Sequence, residues 1–230
     1  MNELIDVLDH GYVTIRAATP ESDLSVVNAA RASFDRDTDI LREKDQRLIY
    51  YLAKHDHTSP FRHAFFTFEI KAPLLVARQW WKYVTGSDHT MDSWNEVSFR
   101  YVTPEEPEFY VPTEWRRRPE GNVKQGSGEL LDPYVGKVIS KDLQDATDEA
   151  LGGYRYALAQ GVAPEQARLF LPAYAMYTRW RWSCSLQSLG LFLKQRLADD
   201  AQYEIREYAK AVQVLATPHA PYSLAALLNR

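Results

Sequence analysis

Six arginines of this chain are candidates for binding an anion, and several of them lie in apolar or aromatic stretches, where a guanidinium group needs a partner. Arg168 occurs in EQARLFLP and Arg196 in FLKQRLADD. The other four are Arg78, Arg100, Arg179 and Arg181. Because burial of an unpaired charge is costly, each guanidinium must meet either an internal carboxylate or an anionic ligand. Both explanations stay open, and the second would suit a phosphate, which arginine can bind with two parallel hydrogen bonds.

Tryptophans accompany these arginines along the chain: Trp80, Trp81, Trp94, Trp180 and Trp182. Side chains of this size usually anchor a core or a subunit interface. Their faces can also flank a flat heterocyclic ligand. Taken together, the two residue types indicate a protein whose arginines receive an anionic, planar ligand.

Three histidines, His55, His57 and His63, are close enough in sequence to raise the possibility of a metal site. Their spacing does not place them on one face of a helix or strand, and no cysteine accompanies them. The favoured interpretation is therefore a polar turn with no metal, in which His57 is available as a donor to a phosphate.

Nucleophilic catalysis finds little support in the sequence. Cys184 lies in the strand-like WSCSL, where a small core residue is the expected role. Ser98 lacks the G-x-S-x-G elbow that exposes a catalytic serine. None of the ten glycines forms a phosphate-cradling G-x-G-x-x-G or Walker pattern.

Composition narrows the class of protein. The 230 residues carry a net charge of −4, which argues against a general nucleic-acid binder. A single cysteine indicates a reducing compartment. We see no signal peptide and no apolar run long enough to span a bilayer, so we expect a cytoplasmic protein with no nucleic-acid or membrane partner.

Hydrophobic periodicity predicts an α+β (mixed α/β) chain forming one domain over residues 1–230. Predicted strands cover 12–16, 64–71 and 177–183. Predicted helices cover 22–33, capped by Ser22 or Asp23, then 43–54, 73–83, 138–158, 165–169 and 188–215, the last with a break at 198–199. Residues 103–133 are rich in Pro, Glu, Gly and Arg and are interpreted as a long excursion within the domain.

Seven segments, in this order, resemble the flavin-dependent thymidylate synthases and span about four-fifths of the chain: AARASF, HTSPFRHAFFTFEIKAPLLVARQWW, NEVSFRYV, ARLFLP, YTRWRWS, SLGLFLKQR and AQYEIREYA. The resemblance implies the fold of that family and a homotetramer whose subunits share each active site. It also implies reductive methylation of dUMP at uracil C5. Methylenetetrahydrofolate would give the carbon, reduced FAD the hydride, and NADPH would reduce the flavin again.

The same resemblance assigns residues to ligands. The nucleotide side would be Gln79, Lys82, Glu96, Val97, Ser98, Arg100, Arg168 and Arg196. Ser98, Arg100 and Arg168 would hold the phosphate or sugar, and Arg196 would stabilise negative charge at the uracil carbonyl. Arg196 and Ser98 are the residues we expect to matter most for catalysis. The flavin side would be Ser33, His57, Ser59, Lys82, Tyr83, Val84, Gln195 and Asp200.

The chain departs from the family signature of Arg-His-Arg, seven residues and Ser. It has Lys82-Tyr83-Val84 and then thirteen residues before Ser98, a loop six residues longer. Further along, Arg62 stands where the family usually has Glu, and Ser185, Gln187 and Leu191 replace polar or basic flavin contacts. Arg62, His89 or one of the arginines 116–118 would have to compensate for the lost cations.

Three functions follow from this pattern. The first is a thymidylate synthase with a longer substrate loop. The second is a dedicated UMP C5-methylase of nucleoside-antibiotic biosynthesis, in which the longer loop would give room for the ribose 2′-hydroxyl of UMP. The third is a relative that binds nucleotide or flavin without turnover.

Overall fold

The computed structural model describes residues 3–85, 92–98, 107–120 and 126–230. Its strands are β1 (Leu4–Val7), β2 (Gly11–Ala18), β3 (Phe65–Pro73), β4 (Ser93–Glu96) and β5 (Tyr177–Ser185). Its α-helices are α1 (Ser22–Arg31), α2 (Glu43–Lys54), α3 (Leu74–Thr85), α4 (Pro133–Ala159), α5 (Pro164–Ala167), α6 (Leu186–Arg196), α7 (Tyr203–Ala216) and α8 (Pro221–Leu228). The predicted α+β class is confirmed.

All five strands form one antiparallel sheet in the order β1-β2-β3-β5-β4. The two longest strands, β3 and β5, pair from Phe65 opposite Ser185 to Pro73 opposite Tyr177. On β3 the predicted alternation holds, because Phe66, Phe68 and Ile70 are all buried on one face.

Helices α3 and α6 cover that face of the sheet with aromatic side chains. The Trp80 ring stacks on Phe192 at a centroid distance of 4.4 Å. It also meets the edges of Trp180 and Trp182 at 5.5 and 5.4 Å. These three tryptophans are almost fully buried, so their interpretation as core anchors is confirmed.

One predicted helix cap and one predicted helix start were wrong. We expected Ser22 or Asp23 to cap α1, but Glu21 occupies the cap in a left-handed conformation (φ 49°). Helix α4 begins at 133 rather than 138, because Asp132 accepts hydrogen bonds from the backbone N–H groups of Tyr134 and Val135. Pro133 then occupies the first turn, where its missing N–H is not needed.

Sequence patterns missed β1, β4 and α8. The two strands have four residues each, too few for a periodic pattern to stand out. In contrast, α2 was predicted with its observed bounds, and the break predicted at 198–199 separates α6 from α7.

The described helices include none with the length and apolar character needed to cross a lipid bilayer.

Candidate active site

Helices α3 and α6 bring together two groups of residues that the sequence predicted for the site. Tyr83, on the last turns of α3, donates a hydrogen bond from its hydroxyl to Gln195 Oε1 at 2.7 Å. The guanidinium carbon of Arg196 lies 5.2 Å from the centre of the Tyr83 ring. Arg196 is half-buried, and the exposed fraction of Tyr83 is only 7%. The end of α6 therefore carries a partly desolvated cation against an aromatic face.

The Tyr83 hydroxyl stays protonated at physiological pH. Burial raises the pKa of Tyr83 above its ordinary value of 10.0, and the neighbouring charge of Arg196 only partly opposes this shift. The phenol is therefore a neutral donor to Gln195 and does not neutralise Arg196.

Gln79 lies one helical turn before Tyr83 and connects α3 to the start of α7. Its side-chain N–H group donates to Gln202 Oε1 at 2.5 Å and, more weakly, to the Leu75 carbonyl at 3.3 Å. Gln202 is the cap residue of α7 and was not predicted as a site residue. Its position directly before an amphipathic helix was the only available signal.

Strand β4 holds the next predicted nucleotide residues against β5. Glu96 accepts hydrogen bonds from Thr178 Oγ1 at 2.9 Å and from Trp94 Nε1 at 3.2 Å. The Val97 N–H donates to the Arg179 carbonyl at 2.9 Å and so extends the contact with β5 by one residue beyond β4. Ser98, the next residue, is half-buried. Thr178 was missed because the sequence assigned it only a strand position. Arg100 lies outside the described residues.

Tryptophan rings connect β4 to α3. Trp81 and Trp94 meet edge to face at 5.3 Å, and Trp94 stacks on Trp180 at 4.6 Å. Strand β4 and the residues after it, which include Glu96, Val97 and Ser98, therefore lie beside α3. That helix carries Gln79 and Lys82. Lys82 itself is exposed.

Arg168 is not buried, contrary to the expectation from its apolar stretch. It lies in the 3₁₀ turn Arg168–Phe170, is exposed, and donates from Nε to the Glu165 carbonyl at 3.2 Å. Its neighbours Leu169 and Phe170 are 82% and 55% exposed. Ala167 and Leu171 of the same stretch are buried, so apolar neighbours did not show which residues of this turn face outward. Among the described residues, Arg168 does not contact the α3–α6 group.

Other arginines illustrate the internal-carboxylate explanation. Arg181 donates to Glu69 Oε2 at 3.4 Å, and Arg16 pairs with Glu69 Oε1 at 2.9 Å. Arg116, one of the proposed compensating cations, forms an ion pair with Glu204 and lies 4.8 Å from the centre of the Tyr203 ring.

The metal and nucleophile alternatives gain nothing from the fold. Within the described residues, no group of three or more His, Cys, Asp or Glu side chains is placed to hold a metal ion. The rings of His55 and His57 are 6.4 Å apart. Cys184 is fully buried, and burial raises the pKa of its thiol well above the ordinary value, so it is a protonated core residue as predicted.

Comparison with known proteins decides the family. The family model described as "Thymidylate synthase complementing protein" matches residues 14–222. Flavin-dependent thymidylate synthase from Thermus thermophilus is 41% identical over 222 residues, covering 96% of this chain and 77% of that protein. The enzyme of the same name from Thermotoga neapolitana is 38% identical, covering 98% and 94%. This chain belongs to the flavin-dependent thymidylate synthase family.

Solved structures place it in the same fold. A UMP/dUMP methylase, PolB from Streptomyces cacaoi, has been solved with 5-Br UMP and with 5-Br dUMP. It superimposes with a TM-score of 0.80 at 27% identity, and the match covers 98% of this chain and 96% of the PolB chain bound with 5-Br UMP. The family-like fold that the sequence predicted is therefore confirmed, and the protein is an enzyme of the methyltransferase kind.

The residues predicted on the flavin side fall into two groups at opposite ends of α6. The first group is Lys82, Tyr83 and Val84 at the end of α3, which the Tyr83–Gln195 hydrogen bond ties to the C-terminal end of α6. Exposed Asp200 follows in the connection to α7. The second group is Ser33, His57 and Ser59, all exposed and carried by the ends of α1 and α2 and by the 3₁₀ turn Ser59–His63. Arg62 in that turn donates from Nε to Gln187 Oε1 at 2.6 Å, which fixes it to the first turn of α6. Gln187 and Arg196 are nine positions apart on this helix, about 14 Å at 1.5 Å per residue.

The donor chemistry of both groups fits a dinucleotide cofactor. His57 and Ser59 offer exposed N–H and O–H donors, which a pyrophosphate requires. At the other end, exposed Lys82 and Gln195 and half-buried Arg196 offer polar groups suited to a ring system, while the Tyr83 ring lies buried against Arg196. The residues between Lys82 and β4 that lengthen the signature, with His89 among them, lie largely outside the described residues.

Proposed function

We propose that the protein is an FAD-dependent uridylate C5-methylase that uses methylenetetrahydrofolate as carbon donor and NADPH as reductant. The observation that carries the proposal is the meeting of α3 with the end of α6 and the start of α7. Tyr83 contacts Gln195 and Arg196 there, and Gln79 bonds Gln202. This arrangement occurs in a chain that is 41% identical to a flavin-dependent thymidylate synthase. A cytoplasmic location is part of the same proposal, because the substrates are metabolites of nucleotide synthesis.

Arg196 is the principal group acting on the substrate. A half-buried guanidinium interacts with developing negative charge more strongly than a fully solvated one, because less water screens it. Placed at a uracil carbonyl, it would stabilise the charge that appears as C5 becomes nucleophilic. Bound FAD, once reduced by NADPH, would supply the hydride that completes the methyl group.

The remaining residues bind and orient the nucleotide. Gln79 and Glu96 have their side chains fixed by Gln202 and Thr178, so they offer preorganised polar groups to the base and sugar. Ser98, Arg100 and Arg168 are proposed to hold the phosphate. Lys82 contributes a positive charge on the exposed side of α3, between nucleotide and flavin.

We propose a homotetramer whose subunits share each active site. Exposure of Arg168 beside outward-facing Leu169 and Phe170 supports this, since an apolar surface around a phosphate-binding arginine suits a subunit contact. Light scattering should give a mass about four times 26.5 kDa.

Subunit sharing has a sharper test. Arg168→Ala and Arg196→Ala homotetramers should each be inactive, and mixed tetramers refolded from both should regain part of the activity. Activity returns because some sites then combine an intact Arg168 with an intact Arg196. Absence of any regain, with mixed tetramers shown by mass spectrometry, would refute the shared site.

dUMP is the proposed substrate, and UMP is the second candidate. PolB, whose structure was solved with both bromo-nucleotides, favours acceptance of either sugar. Turnover should be measured with each nucleotide in the presence of FAD, methylenetetrahydrofolate and NADPH. A dUMP rate at least ten times the UMP rate identifies a thymidylate synthase, and the reverse ratio a dedicated UMP methylase.

Two results would overturn the function. A protein that cannot be loaded with FAD contradicts the cofactor assignment. A protein that binds FAD and uridylate but produces no methylated nucleotide is the non-catalytic relative. In an active enzyme, Arg196→Ala should abolish turnover while weakening FAD binding far less, since its assigned role is on the uracil. Comparable losses in both would contradict that role.

A further inference from the structure

Tyr83 makes three contacts with the last turns of α6 and is largely buried by them. Its ring meets Phe192 edge to face at a centroid distance of 5.1 Å, its hydroxyl donates to Gln195, and its face carries the Arg196 guanidinium. Positions 192, 195 and 196 are three and four residues apart, so they lie on one face of the helix. One side chain of α3 therefore packs along the part of α6 that ends in Arg196.

The contact with Arg196 constrains the guanidinium without cancelling its charge. A carboxylate in the place of the ring would form an ion pair and weaken the field that Arg196 directs at a ligand. A neutral aromatic face attracts the cation and limits its rotamers while leaving the net charge at +1. Since burial keeps the pKa of Tyr83 raised, the phenol does not become an anion that would pair with Arg196.

We propose that Tyr83 is a positioning residue that holds the Arg196 guanidinium in the orientation required at the uracil carbonyl. The inference rests on the proposed uridylate methylation. It also explains how the chain tolerates its departure from the family signature, because Tyr83 is the central residue of the altered Lys82-Tyr83-Val84 segment. In this role the Tyr83 ring acts through Arg196 and not through direct contact with the nucleotide.

A spectroscopic experiment tests the contact without requiring turnover. The Arg196 Nε–H resonance, assigned by its loss in Arg196→Lys, should carry a ring-current shift in the native protein. Tyr83→Leu should remove that shift, whereas Tyr83→Phe, which keeps the ring, should retain it. An Arg196 resonance that is the same in the native protein and Tyr83→Leu would overturn the contact.

Kinetics test the consequence for catalysis. Tyr83→Leu should lower kcat for uridylate methylation about 10-fold, the range expected for losing a partly desolvated cation–π contact. The KM for uridylate should change less than 3-fold. Tyr83→Phe should stay within about 3-fold of the native kcat, because the ring remains and only the bond to Gln195 is lost.

A double-substitution cycle separates positioning from a general loss of stability. In an Arg196→Lys background, Tyr83→Leu should have less than a 2-fold further effect on kcat, since the group it positions is already gone. Equal losses in the two backgrounds would show that Tyr83 acts independently of Arg196. Tyr154→Leu is the matched control: it removes a buried tyrosine of α4 from a separate cluster, and its effect on kcat should be the same in both backgrounds.

The outcomes distinguish this inference from the function itself. Failure of the native enzyme to methylate any uridylate contradicts the function and leaves the resonance experiment to decide the contact. Normal methylation with an unchanged kcat in Tyr83→Leu contradicts the positioning role alone.

Discussion

Asp23 accepts a hydrogen bond from the backbone N–H of Ser223 at 2.8 Å, although the two residues are 200 positions apart in sequence. The same carboxylate accepts from the Tyr222 N–H at 3.0 Å. Helix α8 has no side-chain cap of its own, so a residue of α1 satisfies its first amides. This contact attaches the last helix of the chain to the first.

Replacing Asp23 with Ala should therefore destabilise the fold. We expect the free energy of unfolding to fall by about 1–3 kcal/mol, because two amides lose their acceptor in a buried setting. Urea denaturation followed by circular dichroism measures the change. Asp142→Ala, an exposed position on α4, is the control and should cost less than about 0.5 kcal/mol. Equal losses in the two variants would contradict the capping role.

Glu69 should make stability depend on pH in the acid range. Burial alone would raise its pKa, but hydrogen bonds from Arg16 and Tyr12 outweigh burial and lower the pKa below the ordinary value of 4.5. Because its pKa is lower in the folded state, ionised Glu69 contributes its full stabilisation at pH values above 4.5. This stabilisation is lost as the pH falls through the lowered folded-state pKa. Denaturation at several pH values between 7 and 3 should show a smaller loss in Glu69→Gln than in the native protein. A parallel decline in both would contradict this prediction; Glu43→Gln, at an exposed position, should follow the native curve.

Cys184 should be inert in the folded protein. Its thiol is buried and its pKa is raised, so iodoacetamide at pH 8 should leave the native protein unmodified and label it only after unfolding. Cys184→Ala should keep methylation activity within about 2-fold, since no covalent step is assigned to it. Loss of turnover in a folded Cys184→Ala protein would show that the thiol takes part in the reaction.

Ser98→Ala should lower activity without abolishing it. Ser98 is assigned to hydrogen bonding with the nucleotide, and one neutral hydrogen bond corresponds to a loss of roughly 3- to 10-fold in kcat/KM. Steady-state kinetics with dUMP and with UMP provide the measurement. Complete loss of turnover with unchanged nucleotide binding would instead indicate covalent attack by the hydroxyl.

Elements with a strong periodic pattern could be predicted from the sequence. Helix α2 follows from apolar residues at helical spacing, and the central strands β3 and β5 follow from their alternation of apolar or aromatic and polar residues. Helix α8 escaped prediction because its N-terminal cap comes from Asp23, so no capping residue stands before it in sequence. When the capping residue is distant in sequence, the residues just before the helix do not indicate where it begins.

The candidate site was predictable only in part. The resemblance to the flavin-dependent thymidylate synthases assigned Arg196 to the nucleotide and Gln195 and Tyr83 to the flavin, and the structure brings these three together. Sequence did not indicate that Tyr83 would lie beneath Arg196, because that contact depends on how α3 crosses α6. Arg168 shows the opposite difficulty, since its apolar neighbours suggested a buried position that the single chain does not provide.

The place of β4 in the sheet bears on how the proposed nucleotide site would respond to ligand. It is the last strand in the order and has four residues, and among the described strands it pairs with β5 alone. Its amides should exchange with solvent hydrogen through a local opening that needs less free energy than unfolding of the whole protein. Uridylate bound to Glu96, Val97 and Ser98 would raise the free energy of this local opening by its binding free energy. The exchange of the β4 amides would therefore slow. The wall of the active site would then acquire its full rigidity only when the nucleotide is present.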